Sequence, residues 1–477
     1  MKLERIDMII QEPAQFINEF IESINDLIRT KNPGNALSRK QRAFLAFCIM
    51  GILITNKICW TTYQKTFIGK VTVGSLSWMF RCSKIPWSYL LGYSVTVIIK
   101  RYNITNGVLC VDESDKKRSK VTKKIPFVHK LMEKATGGFY FGQSIVFLIL
   151  ITPIATIPIS FSFYLPDPEM TKWKKLDDKL RKQGISKKNR HEKPPKNFGY
   201  PTKIEIALNL LSDFASNYPE IQIKSVVGDA LYGTAQFLNQ AQQILQIDQV
   251  ISQVRKNQKI RYRGKKISVE EYFRKRKGVA RTIKIRGKEM DVVMNGIRVH
   301  LSAHNSKRFI IALKYEGETE YRYIVASDLS WRMEDIVAAY SLRWLIEVFI
   351  QDWKTNEGWK NRTKQSGVDG SSKSLILSLL TDLCLFFHPS QSARLKNKHS
   401  AWTVGSLIEK IRKDSFLSVI EHIIISKAPK KRLKELSKLL NQLITLAPSE
   451  KHMINKDLGR LEATPALIYK NPRKPIK

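Results

Sequence analysis

The most constraining feature of this 477-residue chain is a stretch at positions 135–166 that contains no Asp, Glu, Lys or Arg. Its length would suffice to cross a lipid bilayer as a helix. However, Pro153 and Pro158 interrupt the stretch, and β-branched residues dominate it. Strands that are buried on both faces show this uniformly apolar pattern. The stretch therefore predicts two buried strands, at 144–152 and 157–164, joined by a turn, and a transmembrane helix is the less favoured alternative.

Two further apolar runs each lead into a carboxylate. The run in GVLCVDES reaches Asp112, and the run in KSVVGDALYG reaches Asp229. An Asp in such a position is more often a turn or capping residue than a functional one. Two instances in one chain nevertheless favour two short buried strands, each of which ends with an acidic side chain facing a cleft.

The segment YSLRWLIEVFIQDWK predicts one amphipathic helix that carries a polar stripe. At 100° per residue, Tyr340, Arg343, Glu347 and Lys354 fall within an arc of about 60°. The other side of the helix is apolar and is expected to pack on a core; it consists of Leu342, Leu345, Ile346, Phe349 and Trp353. The alternative is an ordinary solvated surface, in which Arg343 and Glu347 form a common i,i+4 ion pair.

The charge balance indicates a polyanionic partner. The chain has 81 Lys and Arg against 42 Asp and Glu, which leaves a formal net charge of +39. Positions 172–203, predicted as a loop, hold 12 basic and three acidic residues, and positions 255–288 hold 15 basic and two acidic residues. Such runs neutralise phosphates. Nucleic acid is therefore the favoured partner, and an anionic membrane surface or a solubilising face is a weaker alternative.

The remaining composition narrows the chemistry and the compartment. The five cysteines include no CxxC pair, which is typical of free thiols in a reducing compartment. Charges interrupt the first apolar residues, so a signal peptide is not expected. We therefore expect a cytoplasmic, nucleoid-associated protein without a membrane partner. The histidines form no zinc-like pattern, and no GxxxxGK[ST] loop suggests ATP-driven chemistry.

The pattern of elements predicts an α/β chain with helical ends. Residues 1–105 are predicted to be helical and are the candidate DNA-binding domain. A helix-turn-helix is one interpretation of them, and a plain helical bundle is the alternative. Residues 106–247 and 329–371 are predicted to form the two parts of one α/β domain with a mixed sheet, separated by a β-rich insertion at 248–328. Turn signals in that insertion are Asn295-Gly296 and Glu316-Gly317. Residues 372–477 are predicted to be helical and are a candidate dimerisation region.

These features together resemble the DDE transposases of bacterial insertion sequences, specifically the insertion-sequence-four family. The quartet Y-x2-R-x3-E-x6-K carries the resemblance, and GDALYG resembles the second motif of that family. The resemblance extends from about position 107 to position 358. It implies an RNase H-like catalytic core, in which a mixed sheet is flanked by helices, with a β-rich insertion and helical N- and C-terminal regions.

The resemblance also implies the roles of the six residues singled out above. Asp112, Asp229 and Glu347 would be the catalytic residues and the ligands of two Mg²⁺ ions, for which Mn²⁺ could substitute. Tyr340, Arg343 and Lys354 would hold the DNA strand near the cleavage point.

The implied function is a DNA transposase that acts on double-stranded DNA. It would bind terminal inverted repeats, excise the element through a hairpin intermediate and join it to target DNA as a homodimer in a synaptic complex. Two alternatives stay open: a structure-specific endonuclease of the same fold, and a DNA-binding protein without catalysis.

Overall fold

The computed structural model describes residues 14–67, 71–118, 125–133, 136–276, 278–285, 288–359 and 369–443. The helices of the N-terminal part are α1 (Gln15–Lys31), α2 (Arg39–Thr55), α3 (Trp60–Thr66), α4 (Val73–Cys82) and α5 (Trp87–Arg101). The central helices are α6 (Pro168–Lys182), α7 (Lys203–Asn217), α8 (Ala235–Leu245), α9 (Val269–Arg274), α10 (Met333–Ser341) and α11 (Arg343–Asn356). The C-terminal helices are α12 (Gly370–Cys384), α13 (Pro389–Lys396), α14 (Val404–Ile425) and α15 (Pro429–Leu443).

The strands form one mixed sheet. In chain order they are β1 (Asn106–Arg118), β2 (His129–Met132), β3 (Phe139–Ile151), β4 (Thr156–Tyr164), β5 (Gln222–Gly228), β6 (Val250–Gln253), β7 (Lys259–Tyr262), β8 (Lys265–Ser268), β9 (Val279–Ile285), β10 (Lys288–Leu301), β11 (Ser306–Tyr315) and β12 (Arg322–Ala326). Their spatial order is β2-β3-β1-β5-β6-β12-β11-β10-β7-β8, with β4 paired to β3 and β9 paired to β10. The predicted mixed sheet flanked by helices is confirmed, whereas its assignment as RNase H-like stays a prediction.

The uncharged stretch forms an antiparallel hairpin, as predicted. β3 and β4 pair from Ser144 opposite Tyr164 to Ile151 opposite Thr156. The side chains from Ile145 to Leu150 are fully buried because the sheet is covered on both faces there. Among the described residues, one unbroken helix, Gly370–Phe387, is long and apolar enough for a membrane span, and 89% of it is buried inside the protein.

The first and last helical regions share one core. α2 and α5 pack against α12, and α1 packs against α2 and α5. Phe20 of α1 makes an edge contact with Phe387, at 5.3 Å between ring centroids, and the Tyr102 hydroxyl donates to the carbonyl oxygen of Phe386. The N-terminal helices therefore pack as a bundle. Their role in DNA binding stays a prediction, and the predicted helical residues before position 14 lie outside the described ones.

The β-rich segment continues the central sheet. β6 pairs in parallel with β5 and antiparallel with β12, so the first and last strands of this segment belong to the same sheet as β1. The predicted boundaries at 248 and 328 stay a prediction.

One of the two predicted turns in this segment is wrong. Glu316-Gly317 is a turn, and Gly317 has a φ of +79°. Asn295-Gly296 instead lies inside β10, opposite Ala312 and Ile311. A Cβ atom on Gly296 would lie 2.7 Å from Phe309 Cε2 and 3.0 Å from Met333 Sδ. The glycine is therefore required by close packing.

The basic run at 172–203 is only partly the predicted loop. Its first residues belong to α6, which extends to Lys182. Asp167 caps this helix by accepting from the backbone N–H groups of Glu169 and Met170, and Pro168 occupies its first turn. Both features favour helix initiation, and they lie just before the start of the predicted loop.

Two carboxyl groups are buried side by side beneath the end of α11. Glu357 follows that helix, and Asp382 lies on α12. Burial, and then the negative charge of Asp382, raise the pKa of Glu357 well above its ordinary range. Burial likewise raises the pKa of Asp382 to about 7. The pair therefore favours a protonated state in the folded protein.

We predict that Asp382→Asn changes how stability depends on pH. A carboxyl group whose folded pKa is raised contributes stability below its unfolded pKa, near 3.8, and loses it as the pH rises toward about 7. Relative to the variant, the wild-type free energy of unfolding should fall by the order of 2 kcal/mol between about pH 5 and pH 8. Urea unfolding followed by circular dichroism measures this, and parallel pH profiles for the two proteins would contradict it.

Candidate active site

All six residues singled out in the sequence line one cavity of about 960 Å³. The cavity lies where β1 and β5 face α11. The six residues are Asp112, Asp229, Tyr340, Arg343, Glu347 and Lys354. Acids from β1, from the end of β5 and from α11 are thereby brought to one place.

The first strand does not end at Asp112 as predicted. β1 continues to Arg118 because β3 pairs with it over this length, with Asp112 opposite Phe147. Its parallel partner β5 does end: the last pair is Val111 with Gly228. Asp112 is therefore the first β1 residue beyond β5, and Asp229 directly follows β5. The two acids lie at the same edge because the carboxyl ends of parallel strands lie together.

The loop after β5 is held against β6. Asp229 Oδ1 accepts from the N–H of Leu231 at 2.9 Å, and the Ser252 hydroxyl donates to the carbonyl oxygen of Asp229. A Cβ atom on Gly233 would overlap the carbonyl oxygen of Gln253. Since backbone atoms cannot move aside as a flexible side chain can, only glycine permits this approach.

The predicted single helix is interrupted at Leu342, which separates α10 from α11. The Leu342 N–H donates to the Ala339 oxygen at 3.1 Å, and the Leu345 N–H donates to the Leu342 oxygen at 2.9 Å. These i to i−3 bonds form a turn of 3₁₀ type. Tyr340 accordingly belongs to α10, where it is buried. The predicted single helix is therefore wrong, although Tyr340 still lines the cavity together with Arg343, Glu347 and Lys354.

The division of α11 into two faces is confirmed. Ile346, Phe349 and Trp353 are buried, and Glu347 is exposed to the cavity side. The apolar face packs on the sheet: Phe147 of β3 lies 6.1 Å from Phe349 and 5.1 Å from Trp353 between ring centroids. This packing places the polar face of α11 over the carboxyl edge of β1 and β5.

Arg343 joins two of the acids. Its Nη1 donates to Asp112 Oδ2 at 3.0 Å, and its Nη2 donates to Glu347 Oε1. Burial, and then the negative charge of Asp229, raise the pKa of Asp112 to about 7, while Arg343 opposes this shift. Glu347 raises the pKa of Asp112 as well. Asp229 and Glu347 are therefore close enough to repel the negative charge of Asp112, and the Arg343 side chain lies between Asp112 and Glu347.

Several cavity residues were missed in the sequence. Lys116 lines the cavity and donates from Nζ to the Trp359 oxygen at 2.8 Å. It lies four residues after Asp112 on β1, so the period of two along a strand could have found it. Gln253 and Gln351 also line the cavity, and no local signal marks either of them.

The neighbouring acid Glu113 has a partner elsewhere in the chain. It forms an ion pair with Lys203 at the start of α7. It therefore does not serve only to balance the adjacent lysines.

The donor set fits hard divalent cations. Mg²⁺ prefers carboxylate oxygens, and five acidic side chains line the cavity: Asp112, Glu113, Asp115, Asp229 and Glu347. Among the described residues, no three Asp, Glu, His or Cys side chains are grouped closely enough to form a preformed metal site. Because the charges of Asp229 and Glu347 raise the pKa of Asp112, a cation placed beside Asp112 would reduce this repulsion.

Comparison with known families identifies the domain around this cavity. Residues 198–380 match the family model described as the transposase DDE domain. This chain carries a transposase DDE domain. Its enzyme class is that of the DDE transposases, which generally use divalent metal ions. The matched residues include Asp229 and Glu347, whereas Asp112 precedes them. No curated protein matches the chain.

Among solved structures, the transposase is similar to the piggyBac transposase in its synaptic complex with hairpin DNA, determined by cryo-EM. The two chains are 11% identical, with a TM-score of 0.41. The alignment covers 92% of this chain and 85% of that chain.

We predict that Gly233→Ala lowers the free energy of unfolding by about 1–3 kcal/mol, because the new methyl group overlaps the backbone of β6. Gly92→Ala is the matched control, since a Cβ atom there meets nothing within 4 Å in helix α5. The control should be neutral or stabilise by up to about 1 kcal/mol. Chemical denaturation of the three proteins measures the difference. Equal stability of the two variants would show that the loop can move away from β6.

Proposed function

We propose that this transposase belongs to the insertion-sequence-four family, binds the terminal inverted repeats of its element, and cuts and joins DNA at those ends. The observation that carries the proposal is the arrangement around the cavity. Three acids from three separate elements line it together with Arg343 and Lys354. A surface salt-bridge network would not need to gather these groups around a cavity of this size.

The three acids are proposed as ligands of two Mg²⁺ ions in an RNase H-like core, with Mn²⁺ as a substitute. Bound ions of this kind activate the attacking oxygen and stabilise the leaving oxygen of an in-line displacement at phosphorus. Asp112 is supplied by β1, Asp229 by the loop that directly follows β5, and Glu347 by α11. The position of Glu347 therefore depends on how α11 packs.

Tyr340, Arg343 and Lys354 are proposed to hold the DNA strand beside the acids. Burial lowers the pKa of Lys354, which is the expected effect on a cation that lacks solvent. A phosphate group would restore favourable interactions to it. Arg343 has planar donors that suit phosphate as well as carboxylate, so bound DNA would compete with Asp112 and Glu347 for its guanidinium group.

The approach of duplex DNA is proposed to follow the basic surface of the β-rich segment. In this segment Arg276 lies over the rings of Tyr272 and Tyr262, at 3.9 Å and 4.8 Å from their centroids. Rings stacked beneath an arginine hold its side chain in place while leaving its charge available for phosphates. The helices of residues 1–105 are proposed to contact the terminal repeat. Bound DNA would place the protein with the nucleoid in the cytoplasm.

We predict that purified transposase converts DNA ends from the flanks of its own gene into hairpins and joined products when Mg²⁺ or Mn²⁺ is present. Asp112→Asn, Asp229→Asn and Glu347→Gln should each lower the rate by at least about 100-fold, because each removes a proposed metal ligand. Denaturing gels resolve the products, with EDTA as the metal-free control.

Asp352→Asn is the matched control variant, since Asp352 is on α11 but does not line the cavity. Its rate should stay near the wild-type rate. Cleavage without joined products would favour the structure-specific endonuclease. Metal-independent binding without any cleavage would favour a DNA-binding protein, and full activity of the three variants would refute the site.

A homodimer is proposed because two element ends must be held together. The C-terminal half of α14 exposes an apolar stripe formed by Phe416, Leu417, Ile420 and Ile424. These residues lie within an arc of about 100° on the helix. Leu407, Ile408 and Ile411, which pack on the protein, lie on the other side. Apolar side chains spaced three, four and seven residues apart are typical of paired helices. We therefore propose that a second copy of the protein packs against this stripe.

We predict that Ile420→Glu halves the mass of the transposase complex formed on end DNA, because it places a charge in the apolar stripe. Ser418→Glu adds the same charge on a different, exposed side of α14 and should leave the mass unchanged. Light scattering coupled to size-exclusion chromatography measures both. An unchanged mass for Ile420→Glu would exclude this stripe as the dimer contact.

A further inference from the structure

An exposed apolar surface lies at the end of the β2–β3 hairpin. We name it the hairpin platform and define it as Lys130, Met132, Phe139 and Phe141. Phe139 is 61% exposed, Met132 60% and Phe141 39%. Single exposed apolar residues are common, but adjacent large ones indicate a contact surface.

The hairpin platform lies on the same face of the sheet as the proposed catalytic acids. Phe141 is directly opposite Arg118 on β1, and it is also opposite Lys130 on β2. Phe139 is opposite Met132. Directly opposed residues point to the same face, and along a strand the face repeats every two residues. Arg118 is six residues from Asp112, so Asp112 and the platform share one face.

Among the residues that the structure describes, helices cover this face only up to the edge of the platform. Above Asp112, Phe147 packs on α11. Farther along β3, Gln143 Nε2 donates to the Ser371 hydroxyl of α12 at 3.0 Å. The next side chain on the same face is Phe141, which is exposed. The platform therefore begins where the helical cover of α11 and α12 ends.

The separation between the platform and the acids matches a short length of nucleic acid. Asp112 is opposite Phe147, and Phe141 is six residues farther along β3. At about 3.3 Å per residue this is about 20 Å. That distance corresponds to about six base steps at about 3.4 Å each. A DNA strand held at the cavity could reach the platform within one turn of duplex.

Cations accompany the aromatic rings. Lys130 Nζ lies 4.1 Å from the centroid of the Phe139 ring. Lys116 lines the cavity and lies four residues from Asp112 on β1, so basic side chains occur at both the cavity and the platform on this face. Aromatic rings for stacking beside cations for phosphates are the combination that binds unpaired nucleic acid strands.

We propose that the hairpin platform binds unpaired bases of the DNA strand that extends from the active site, by stacking on Phe139 and Phe141. Lys130 contacts the phosphates of that strand. The rings offer no hydrogen-bonding groups, so the contact tolerates any base sequence. The inference rests on the proposed function and adds a second DNA contact to it.

The test compares two labelled DNA probes in EDTA, which prevents cleavage. One is a blunt duplex of the element end, and the other carries an added single-stranded extension of about ten nucleotides, within the site sizes usual for strand-binding surfaces. Fluorescence anisotropy gives the two affinities, and their ratio measures the preference for unpaired DNA. Wild type should prefer the extended probe. Phe139→Ala and Phe141→Ala should each lower this ratio at least about fivefold.

Two further variants separate stacking from folding defects. Phe139→Trp retains a flat ring and should keep the ratio, whereas Phe139→Thr retains strand propensity and should lower it as Phe139→Ala does. Phe198→Ala is the matched control. Phe198 is 84% exposed, and Lys196 lies 5.2 Å from its ring centroid, but it lies in the basic run before α7. Its removal should leave the ratio unchanged.

Unchanged ratios in Phe139→Ala, Phe141→Ala and Phe139→Thr would overturn the proposal. An equal loss in Phe198→Ala would also overturn it, because any exposed ring on the basic surface would then suffice. A lower oligomeric mass of Phe139→Ala with an unchanged ratio would assign the platform to a second copy. Failure of the proposed function would give a different result from failure of the platform proposal. The wild-type protein would then show no preference for the element-end probe over unrelated DNA, and it would not cleave that probe with Mg²⁺.

Discussion

The site depends on one cation that lies between carboxylates. Arg343 contacts Asp112 from the sheet and Glu347 from its own helix, so it neutralises repulsion that would otherwise oppose the packing of α11 over β1. Buried or partly buried acids of like charge destabilise one another unless a positive charge is near. The geometry between Asp112 and Glu347 is thus suited to a cation. Arg343 provides that cation as long as phosphate does not compete for its guanidinium group and no divalent ion competes for the two carboxylates.

Much of this site could be predicted from local patterns, and its remainder depends on contacts between distant segments. Asp229 is predicted from its place at the end of an apolar run, and Glu347 from the polar stripe of a helix. Both patterns lie within a short stretch of sequence. β1 extends beyond Asp112 through a polar sequence only because β3 pairs with it, and pairing with a distant strand leaves no local signal. The interruption at Leu342 was missed because no glycine or proline marks it and its dihedral angles stay helical.

Other differences have the same origin in tertiary packing. The dipeptide Asn295-Gly296 has the composition of a turn, yet Phe309 and Met333 require the glycine inside a strand. Glu357 and Asp382 are 25 positions apart and become a buried pair only when α12 packs beneath α11. The aromatic residues of the hairpin platform belong to an uncharged stretch whose composition suggests uniform burial, although in the described part of the chain the cover of helices ends before Phe141.

The pairing of β6 between β5 and β12 has a consequence for how the protein could be divided. A segment joined to a core through a loop can be removed or exchanged as an independent module, and it can rotate about a hinge. Here the segment is joined through backbone hydrogen bonds of a continuous sheet. Excising it would leave the edge of β5 unpaired and prone to aggregation. Force applied to the β-rich segment would be transmitted as twist of the sheet directly to the strand that precedes Asp229.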